Sequence, residues 1–261
     1  MKYSAKLMNS LCFKANLVDW NETRIYRYNV LRGYLMETND LFKQNSIFGS
    51  ITGREQDRLL QQAVKRQYQK GEYLAHAGDI WPFLFYLSEG SITAVKESSE
   101  GRSLIATTFK SGEVFWGVSF FHPELPMPVA LKVDKSSHVY LWSRDQLLPV
   151  LIKNGQVSWE LSRLMVRRML RASEIVEELA FQPVAGRLAR LLMEFPGQAA
   201  SGPTARSLTL DDMAARIGST REMVCRFLQR FADEDLIKIT RTEFEITDRD
   251  RLMDMAQKVR G

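Results

Sequence analysis

Two amphipathic helical patterns meet at a single glycine, Gly218, near the C-terminal end of the chain. The first, LTLDDMAARIG, contains a residue that can cap a helix, Thr209, and has apolar residues at every third or fourth position after it. The second spans about 220–233 and precedes two short alternating segments, LIKIT and FEIT, which a tight turn at 241–242 joins. Helix, glycine turn, helix and hairpin together predict a winged helix-turn-helix.

The second of these helices separates into two faces when its residues are placed at helical angles. One face is apolar and predicts a buried side: Met223, Val224, Phe227, Leu228 and Phe231. The other is polar: Arg221, Glu222, Cys225, Arg226 and Gln229. A solvated face with a capping box between Ser219 and Glu222 would also explain the charges. Because the charges lie at the end that a recognition helix points into the major groove, we interpret this face as DNA-reading.

The residue types on this face suit base recognition. Arginine offers a fork to guanine and glutamate accepts from cytosine, so Arg221, Glu222 and Arg226, together with Cys225 on the same face, are candidate base-contacting residues. Cys225 lies on the same face, and its role is open between a small residue that lets the helix approach DNA and a redox-sensitive thiol. Candidate phosphate contacts near the helix N-termini are Thr209, Ser219 and Thr220.

A different pattern occupies the middle of the chain. Between Gln69 and about Leu148, glycines recur among short alternating runs such as FLFYLSEG and SITAVKE. Short strands with turn signals every ten or so residues predict an antiparallel β-sandwich or barrel, with a hairpin turn at Ser98–Arg102.

A helical seam follows the strands, from about Asn154 to Ala180. Its apolar residues are spaced four, three, four and three apart: Met165, Met169, Ala172, Val176 and Leu179. Two interpretations fit the seam, namely a helix packed on its own β-domain and a helix that pairs with a second copy of the chain.

Composition and motif content exclude several classes of protein. The net charge of +5 over 261 residues favours a polyanionic partner without establishing one. No apolar run reaches membrane-spanning length, and the N-terminus lacks a signal-peptide pattern, so we expect a cytoplasmic protein without a membrane partner. No HExxH, phosphate loop or nucleophile elbow occurs, and three scattered histidines do not form a cupin metal site, which argues against an enzyme.

The chain resembles the Crp–Fnr superfamily of bacterial transcription regulators over roughly residues 45–250. The resemblance rests on KGEYLAHAGD, YLSEGSITAVKESSEGR, SGEVF, VAGRLARLL and above all TLDDMAARIGSTREMVCRFLQRFADEDLI, with its RExVxR frame. It implies that Arg221, Glu222 and Arg226 read bases in an inverted repeat of GTGA-like half-sites. It also implies a homodimer through the Met165–Leu179 seam, double-stranded DNA as partner and RNA polymerase as a further candidate partner.

The sensor region departs from the cyclic-nucleotide-binding pattern of that family. Val118 stands where those relatives carry the ribose-binding glutamate, and Met127 or Pro128 stands where they carry the phosphate-binding arginine. Because a buried phosphate without a cation is costly, we expect an effector other than cyclic AMP. The candidate effector pocket is Phe115, Trp116, Val118, Ser119, Pro128 and Val129.

Other cofactors are also disfavoured by the sequence. Two cysteines cannot form a four-cysteine iron–sulfur site, and His76 and His122 lack a second ligand at diagnostic spacing for haem or a metal. We therefore expect no metal and no cofactor.

These patterns predict an α+β chain: an extension of unknown role (1–45), a β-roll sensor (46–153), a dimerisation helix (154–181) and a winged helix-turn-helix DNA-binding domain (182–261). A start at Met36 would shorten the extension. The expected function is a dimeric, sequence-specific transcription regulator under a small effector. The alternatives are a constitutive regulator with a filled pocket and a ligand-sensing adaptor whose winged helix binds protein.

Overall fold

A computed structural model of the chain describes residues 45–51, 53–195, 204–205, 208–240 and 242–257. The predicted extension, 1–45, lies outside the described residues except for its last position, and so does Arg241 of the predicted tight turn. The described residues have the predicted α+β class: an antiparallel roll, a long helix, and a C-terminal group of helices with a small sheet.

The roll is a six-stranded antiparallel sheet in which the two longest strands form the centre. Its path is β1-β6-β3-β4, with β2 added to β6 and β5 added to β3. The strands are β1 (Val64–Tyr68), β2 (Tyr73–Ala75), β3 (Phe83–Glu97), β4 (Ser103–Lys110), β5 (Val114–Trp116) and β6 (Ala130–Ser143). Register shifts between Leu87 and Ile92 interrupt the β3–β6 ladder and bend it. The Ser98 amide donates to the Arg102 carbonyl at 2.8 Å, which confirms the predicted β3–β4 hairpin turn.

Besides the short 3-10 helix Phe48–Ser50, three α-helices of the described residues precede the long helix. They are α1 (Arg54–Gln62), α2 (Val118–Phe121) and α3 (Arg144–Lys153). The buried Trp142 indole donates to the Leu59 carbonyl at 2.8 Å and so ties α1 to β6. A capping box between Ser143 and Gln146 starts α3 directly after β6.

The long helix α4 (Gly155–Phe181) starts where the sequence predicts, because the Asn154 side chain caps it by accepting from the Val157 amide at 3.2 Å. It ends before Pro183, which has no amide hydrogen to continue the helix. Among the helices of the described residues, none combines the length and apolar character that crossing a bilayer requires.

The C-terminal group contains the predicted winged helix-turn-helix. Its elements are α5 (Val184–Met193), β7 (Thr204–Ala205), α6 (Leu210–Ile217), α7 (Arg221–Asp233), β8 (Ile237–Ile239), β9 (Glu243–Ile246) and α8 (Arg249–Gln257). The small sheet has the order β7-β9-β8. One core holds the group together, and its fully buried members include Leu188, Met213, Val224, Phe231 and Leu252.

Gly218 forms the turn between α6 and α7 in a conformation that favours glycine. Its φ is 59°, in the left-handed region, where a side chain is strained. A Cβ there would lie 2.5 Å from Leu179 Cδ2 and 3.3 Å from Leu104 Cδ1. The turn therefore packs closely against both the end of α4 and strand β4.

Candidate nucleic-acid interface and sensor region

The N-terminus of α7 is fixed by Thr220 and not by the capping box that the solvated-face alternative assumed. Thr220 is the N-cap, and its hydroxyl accepts from the Met223 amide at 3.2 Å. Glu222 is therefore the second helical residue, and a capping box between Ser219 and Glu222 does not form. The reason is that the Ser219 amide is still bonded to the Ala214 carbonyl of the preceding helix, at 2.9 Å. Glu222 is thus exposed in the first turn without a capping duty.

The two faces of α7 separate as the sequence predicts. Val224, Leu228 and Phe231 are buried in the winged-helix core. The exposed face carries Arg221, Glu222, Cys225, Arg226 and Gln229. The predicted base-contacting side chains therefore share one solvent-facing surface at the start of the helix.

The three arginines of this helix have different partners. Arg221 pairs with Asp211 of α6 at 2.7 Å, and both side chains are about two-thirds exposed, at 63% and 67%. The Arg226 guanidinium lies against the Met223 sulfur. Arg230 pairs with Glu234 at 2.7 Å, one helical turn further on. Of the three, Arg226 is the one whose charge has no carboxylate partner among the described residues.

The candidate phosphate contacts also differ in what their hydroxyl groups already do. Thr209 caps α6, accepts from the Asp212 amide at 3.1 Å and donates its hydroxyl hydrogen to the Asp212 carboxylate at 2.7 Å. Thr220 only accepts in its cap, so its hydroxyl hydrogen is available to an outside acceptor. Ser219 is half-buried beside it in the same turn.

Four of the five residues of the predicted seam on α4 are exposed. Met169 and Val176 are 64% and 65% exposed, Ala172 is exposed, and Leu179 is 36% exposed beside the Gly218 turn. Met165 is half-buried. A heptad of exposed residues runs through the neighbouring positions: Trp159, Ser162, Val166, Met169, Ser173, Val176 and Ala180.

Parallel aromatic rings fill part of the roll interior. Phe85 stacks on Trp81 at 6.2 Å and on Phe115 at 4.6 Å, and Phe109 stacks on Phe115 at 4.4 Å. The interplanar angles of the three pairs are 7°, 2° and 14°. Such offset stacks stabilise a core by more than their buried area alone.

Arg168 of α4 lies over the Phe109 end of the stack of Trp81, Phe85, Phe115 and Phe109, here called the ring column. Its place in the sequence gives no sign of this contact. Its guanidinium lies 4.9 Å from the Phe109 ring centre and 4.5 Å from that of Trp116, and it donates to the Val114 carbonyl. Burial lowers the pKa of Arg168 to about 10, while the charge of Glu113 acts in the opposite direction. The side chain therefore stays charged at neutral pH and joins α4 to the roll.

The predicted pocket residues do not all face one space. Phe115 belongs to the ring column, Val118 and Val129 are half-buried, and Pro128 is exposed. Ser119 is fully buried, and its hydroxyl has no hydrogen-bond partner among the described residues.

Trp116 and Gly117 place the start of α2 tightly against the roll. Trp116 contacts both Arg168 and Phe121. A Cβ on Gly117 would collide with the Trp81 carbonyl, so the chain approaches here closer than any side chain allows. The Trp81 indole nitrogen is buried, and like the Ser119 hydroxyl it has no partner among the described residues.

The histidines are all on the surface. His76 stacks on Tyr73 at 4.7 Å, His122 is exposed, and His138 lies 3.2 Å from Glu89. Within the described residues, no three metal-ligating side chains converge on one point.

Comparison with protein families gives two matches, one for each structural region. Residues 65–154 match the cyclic nucleotide-binding domain family, and residues 186–255 match the Crp-like helix-turn-helix domain family. The first match spans the roll and α3, and the second spans most of α5 through α8.

Similar curated proteins are transcription regulators. The cAMP-activated global transcriptional regulator Vfr of Pseudomonas aeruginosa is 26% identical over 196 residues, which are 70% of this chain and 89% of Vfr. The cAMP-activated regulator CRP of Haemophilus influenzae is 26% identical over 185 residues, or 69% of this chain and 83% of CRP.

Solved structures show the same fold. A crp/fnr-family protein from Eubacterium rectale superposes with a TM-score of 0.69 at 18% identity and covers 83% of this chain and all of its own. The c-di-GMP responsive regulator CLP of Xanthomonas campestris gives a TM-score of 0.64 at 21% identity, with 74% of this chain and 97% of CLP covered.

Proposed function

Because the chain belongs to the Crp–Fnr family of transcription regulators, which bind DNA through this helix-turn-helix, we propose that it reads an inverted repeat of GTGA-like half-sites as a homodimer. The observation that carries the proposal is the exposed face at the start of α7. There Arg221, Glu222 and Arg226 lie together, with core residues on the opposite side of the same helix. Arginine forks suit guanine, and the glutamate suits cytosine.

In the protein without DNA, the side chains of this face can leave their present partners at a small cost in free energy. The Arg221–Asp211 pair is well exposed, so breaking it costs less than about 1 kcal/mol. Arg226 has no acidic partner to leave among the described residues, and the Thr220 hydroxyl can donate to a phosphate. Cys225 contributes a small side chain between the two arginines and lets the helix approach the bases.

The exposed apolar side chains of α4 support the dimer. Trp159, Val166, Met169 and Val176 are each at least half exposed, which is unusual for large apolar side chains on a helix of this length. Their heptad spacing fits pairing with a second copy of the same helix. In the dimer we propose, Met169 and Val176 lie near the two-fold axis, and Leu179 packs against its own winged helix.

A single substitution tests the dimer. Met169→Glu places two like charges near the axis while changing only an exposed residue, so we expect a folded monomer with at least about 100-fold weaker operator binding. Met253→Glu, at an exposed methionine of α8, is the matched control and should remain dimeric. Sedimentation analysis of both variants measures the effect; a dimeric Met169→Glu protein would rule out pairing of the two copies along this part of α4.

The roll supports regulation without cyclic AMP. The side chains of Val118 and of Met127 or Pro128 cannot take a ribose hydroxyl or a phosphate charge, and the ring column with Arg168 fills part of the roll interior. The buried Ser119 hydroxyl and Trp81 indole favour a small polar effector. The ring column favours the second candidate, a constitutive regulator with a filled pocket.

Selection of duplexes from a random pool tests the DNA-reading function. We expect the wild-type protein, acting in the cytoplasm without a cofactor, to enrich a two-fold symmetric site with G·C pairs in each half. Enrichment of asymmetric sequences would contradict the dimer, and no enrichment together with a shallow salt dependence would favour the protein-binding adaptor.

A further inference from the structure

The connection between α4 and α5 consists of two extended residues, Gln182 (φ −91°, ψ 133°) and Pro183 (φ −59°, ψ 149°). An extended connection carries no continuous helical hydrogen bonding across it. The direction in which the winged helix points relative to α4 therefore depends on the side chains that tie the two sides together.

Arg187, in the first turn of α5, makes the most direct tie. Its Nε donates to the Ile217 carbonyl at 2.7 Å, and its Nη1 donates to the Gln182 carbonyl at 2.6 Å and the Glu178 carbonyl at 3.2 Å. Ile217 is the last residue of α6, and Glu178 and Gln182 lie at the end of α4. One guanidinium thus bonds the C-terminal ends of two helices.

The chemistry of these helix ends explains the choice of side chain. The last carbonyls of a helix lack partners within it and carry the negative end of its dipole, so a cation is favoured there. The rigid fork of arginine can serve several carbonyls in different directions at once, whereas a lysine ammonium acts as a point charge on a flexible stem.

Further contacts join the same ends. Arg190 pairs with the Glu178 carboxylate at 2.9 Å and donates to the Ala256 carbonyl at 3.3 Å, which connects α4 and α5 to α8. Leu179 lies against the Gly218 turn between α6 and α7. Arg187 is the member of this group that bonds directly to the helix preceding α7.

We infer that Arg187 is a positioning residue that sets the angle between the dimer helix and the reading helix, and thereby the half-site spacing that the dimer accepts. The inference rests on the proposed dimeric reading of DNA. In a dimer paired along α4, the separation of the two copies of α7 follows from this angle. Because one added base pair rotates a half-site by about 34° and moves it about 3.4 Å, a fixed angle excludes altered spacings.

The test uses duplexes that carry the half-site selected by the wild-type protein at its preferred spacing and at spacings one or two base pairs shorter and longer. We expect the wild-type protein to lose about tenfold or more in affinity for each base pair of change. The reason is that two copies of α7 held at a fixed separation cannot follow half-sites that have moved. Arg187→Lys keeps the charge, but its single ammonium nitrogen cannot take the places of both Nε at the Ile217 carbonyl and Nη1 at the α4 end, so its profile should flatten to about threefold or less.

Two further variants keep the test decisive. Arg187→Met removes the charge as well and should flatten the profile at least as much as Arg187→Lys. Arg102→Lys, at an exposed arginine of the β3–β4 turn that pairs with Glu100 at 3.0 Å, is the matched control and should keep the wild-type profile. Thermal unfolding confirms that each protein compared is folded; if Arg187→Met does not fold, the conservative Arg187→Lys still carries the comparison.

The possible results distinguish failure of the positioning role of Arg187 from failure of the proposed dimeric reading of DNA. A wild-type spacing profile in folded Arg187→Lys overturns the positioning role. An equal loss at every spacing and on random DNA also overturns it, because that is general weakening. If the wild-type protein prefers no inverted repeat at all, the proposed dimeric reading fails, and the inference fails with it.

Discussion

Arginine side chains have different roles on the exposed face of α7 and at the contact between α4 and the roll. On α7, Arg221 and Arg226 project into solvent from the start of a helix. Where α4 meets the roll, Arg168 of α4 lies over the Phe109 and Trp116 rings and donates to a backbone carbonyl. An exposed guanidinium keeps its hydration and can be redirected to an outside partner. A desolvated one with fixed contacts contributes to the fold.

The surroundings of Arg221 and Arg168 explain why the first is available to an outside partner and the second is not. The Arg221–Asp211 pair is screened by water and is weak. Burial disfavours the charged form of Arg168, and the two rings and the Val114 carbonyl offset that cost. A ligand that displaced Arg168 from the rings would have to replace those contacts.

The same substitution in the two regions should therefore have different consequences. Arg168→Ala removes the contacts between α4 and the roll, and we expect it to lower the free energy of unfolding by roughly 1–3 kcal/mol. Arg226→Ala should change that free energy by less than about 0.5 kcal/mol, because the side chain is exposed. Urea unfolding of both proteins measures the difference, and equal effects would break the comparison.

Arg168→Met serves as a control for packing. It keeps most of the side-chain length without the charge, so it should destabilise the protein less than Arg168→Ala, since the desolvation cost of the cation disappears along with its bonds. A Met variant as unstable as the Ala variant would show that the charge, rather than the packing, holds α4 to the roll.

The Gly218 turn, at which the roll, α4 and the winged helix meet, gives the next largest effect. Gly218→Ala adds a Cβ at a left-handed φ of 59° and 2.5 Å from Leu179 Cδ2, so we expect a loss of roughly 1–2 kcal/mol in stability. Gly155→Ala, at a helical position with open space around its Cβ, is the matched control and should stabilise the protein by up to about 1 kcal/mol. Thermal unfolding compares the two; an unchanged Gly218→Ala protein would contradict the close packing.

Releasing Arg221 from its partner should have a smaller effect. Asp211→Asn removes the acidic partner and one negative charge near the DNA, so we expect operator binding to strengthen by less than about 1 kcal/mol. Fluorescence anisotropy at two salt concentrations measures the change. Weaker binding would mean that the pair holds Arg221 in its reading position.

Cyclic AMP should have no effect at all. Because Val118 and Met127 or Pro128 stand where cyclic-nucleotide-binding relatives carry the ribose-binding glutamate and the phosphate-binding arginine, we expect the operator dissociation constant to stay the same with and without millimolar cyclic AMP. The relatives Vfr and CRP are described as cAMP-activated, so a cyclic-AMP response here would show that the roll rearranges around Arg168.

Local patterns were sufficient to predict the architecture. The change from alternating strands to helical periodicity located the roll and α4, and the Thr209 cap and Gly218 stop located α6. The division of α7 into two faces followed from helical geometry, because its core partners lie within the same small module. The expected roles of Arg221, Glu222 and Arg226 in reading bases stay predictions.

Contacts between distant parts of the chain could not be predicted in the same way. Two adjacent stripes on α4 have nearly the same spacing and both are largely exposed, so the spacing alone does not show which one pairs with a second copy. Arg168 and Arg187 look like ordinary charged residues in the sequence, since their partners are rings and carbonyls from other elements. Arg187 stands in the VAGRLARLL segment, but the sequence does not show what it bonds.

The most direct test of the central claim is a binding cycle with wild-type protein and Arg226→Ala on the selected operator and on the same operator with one G·C pair replaced by A·T in each half. We predict that the wild type loses about 1–3 kcal/mol on the replaced site and that Arg226→Ala binds both sites equally. An equal loss of affinity by Arg226→Ala on both duplexes would contradict the claim that this face reads bases.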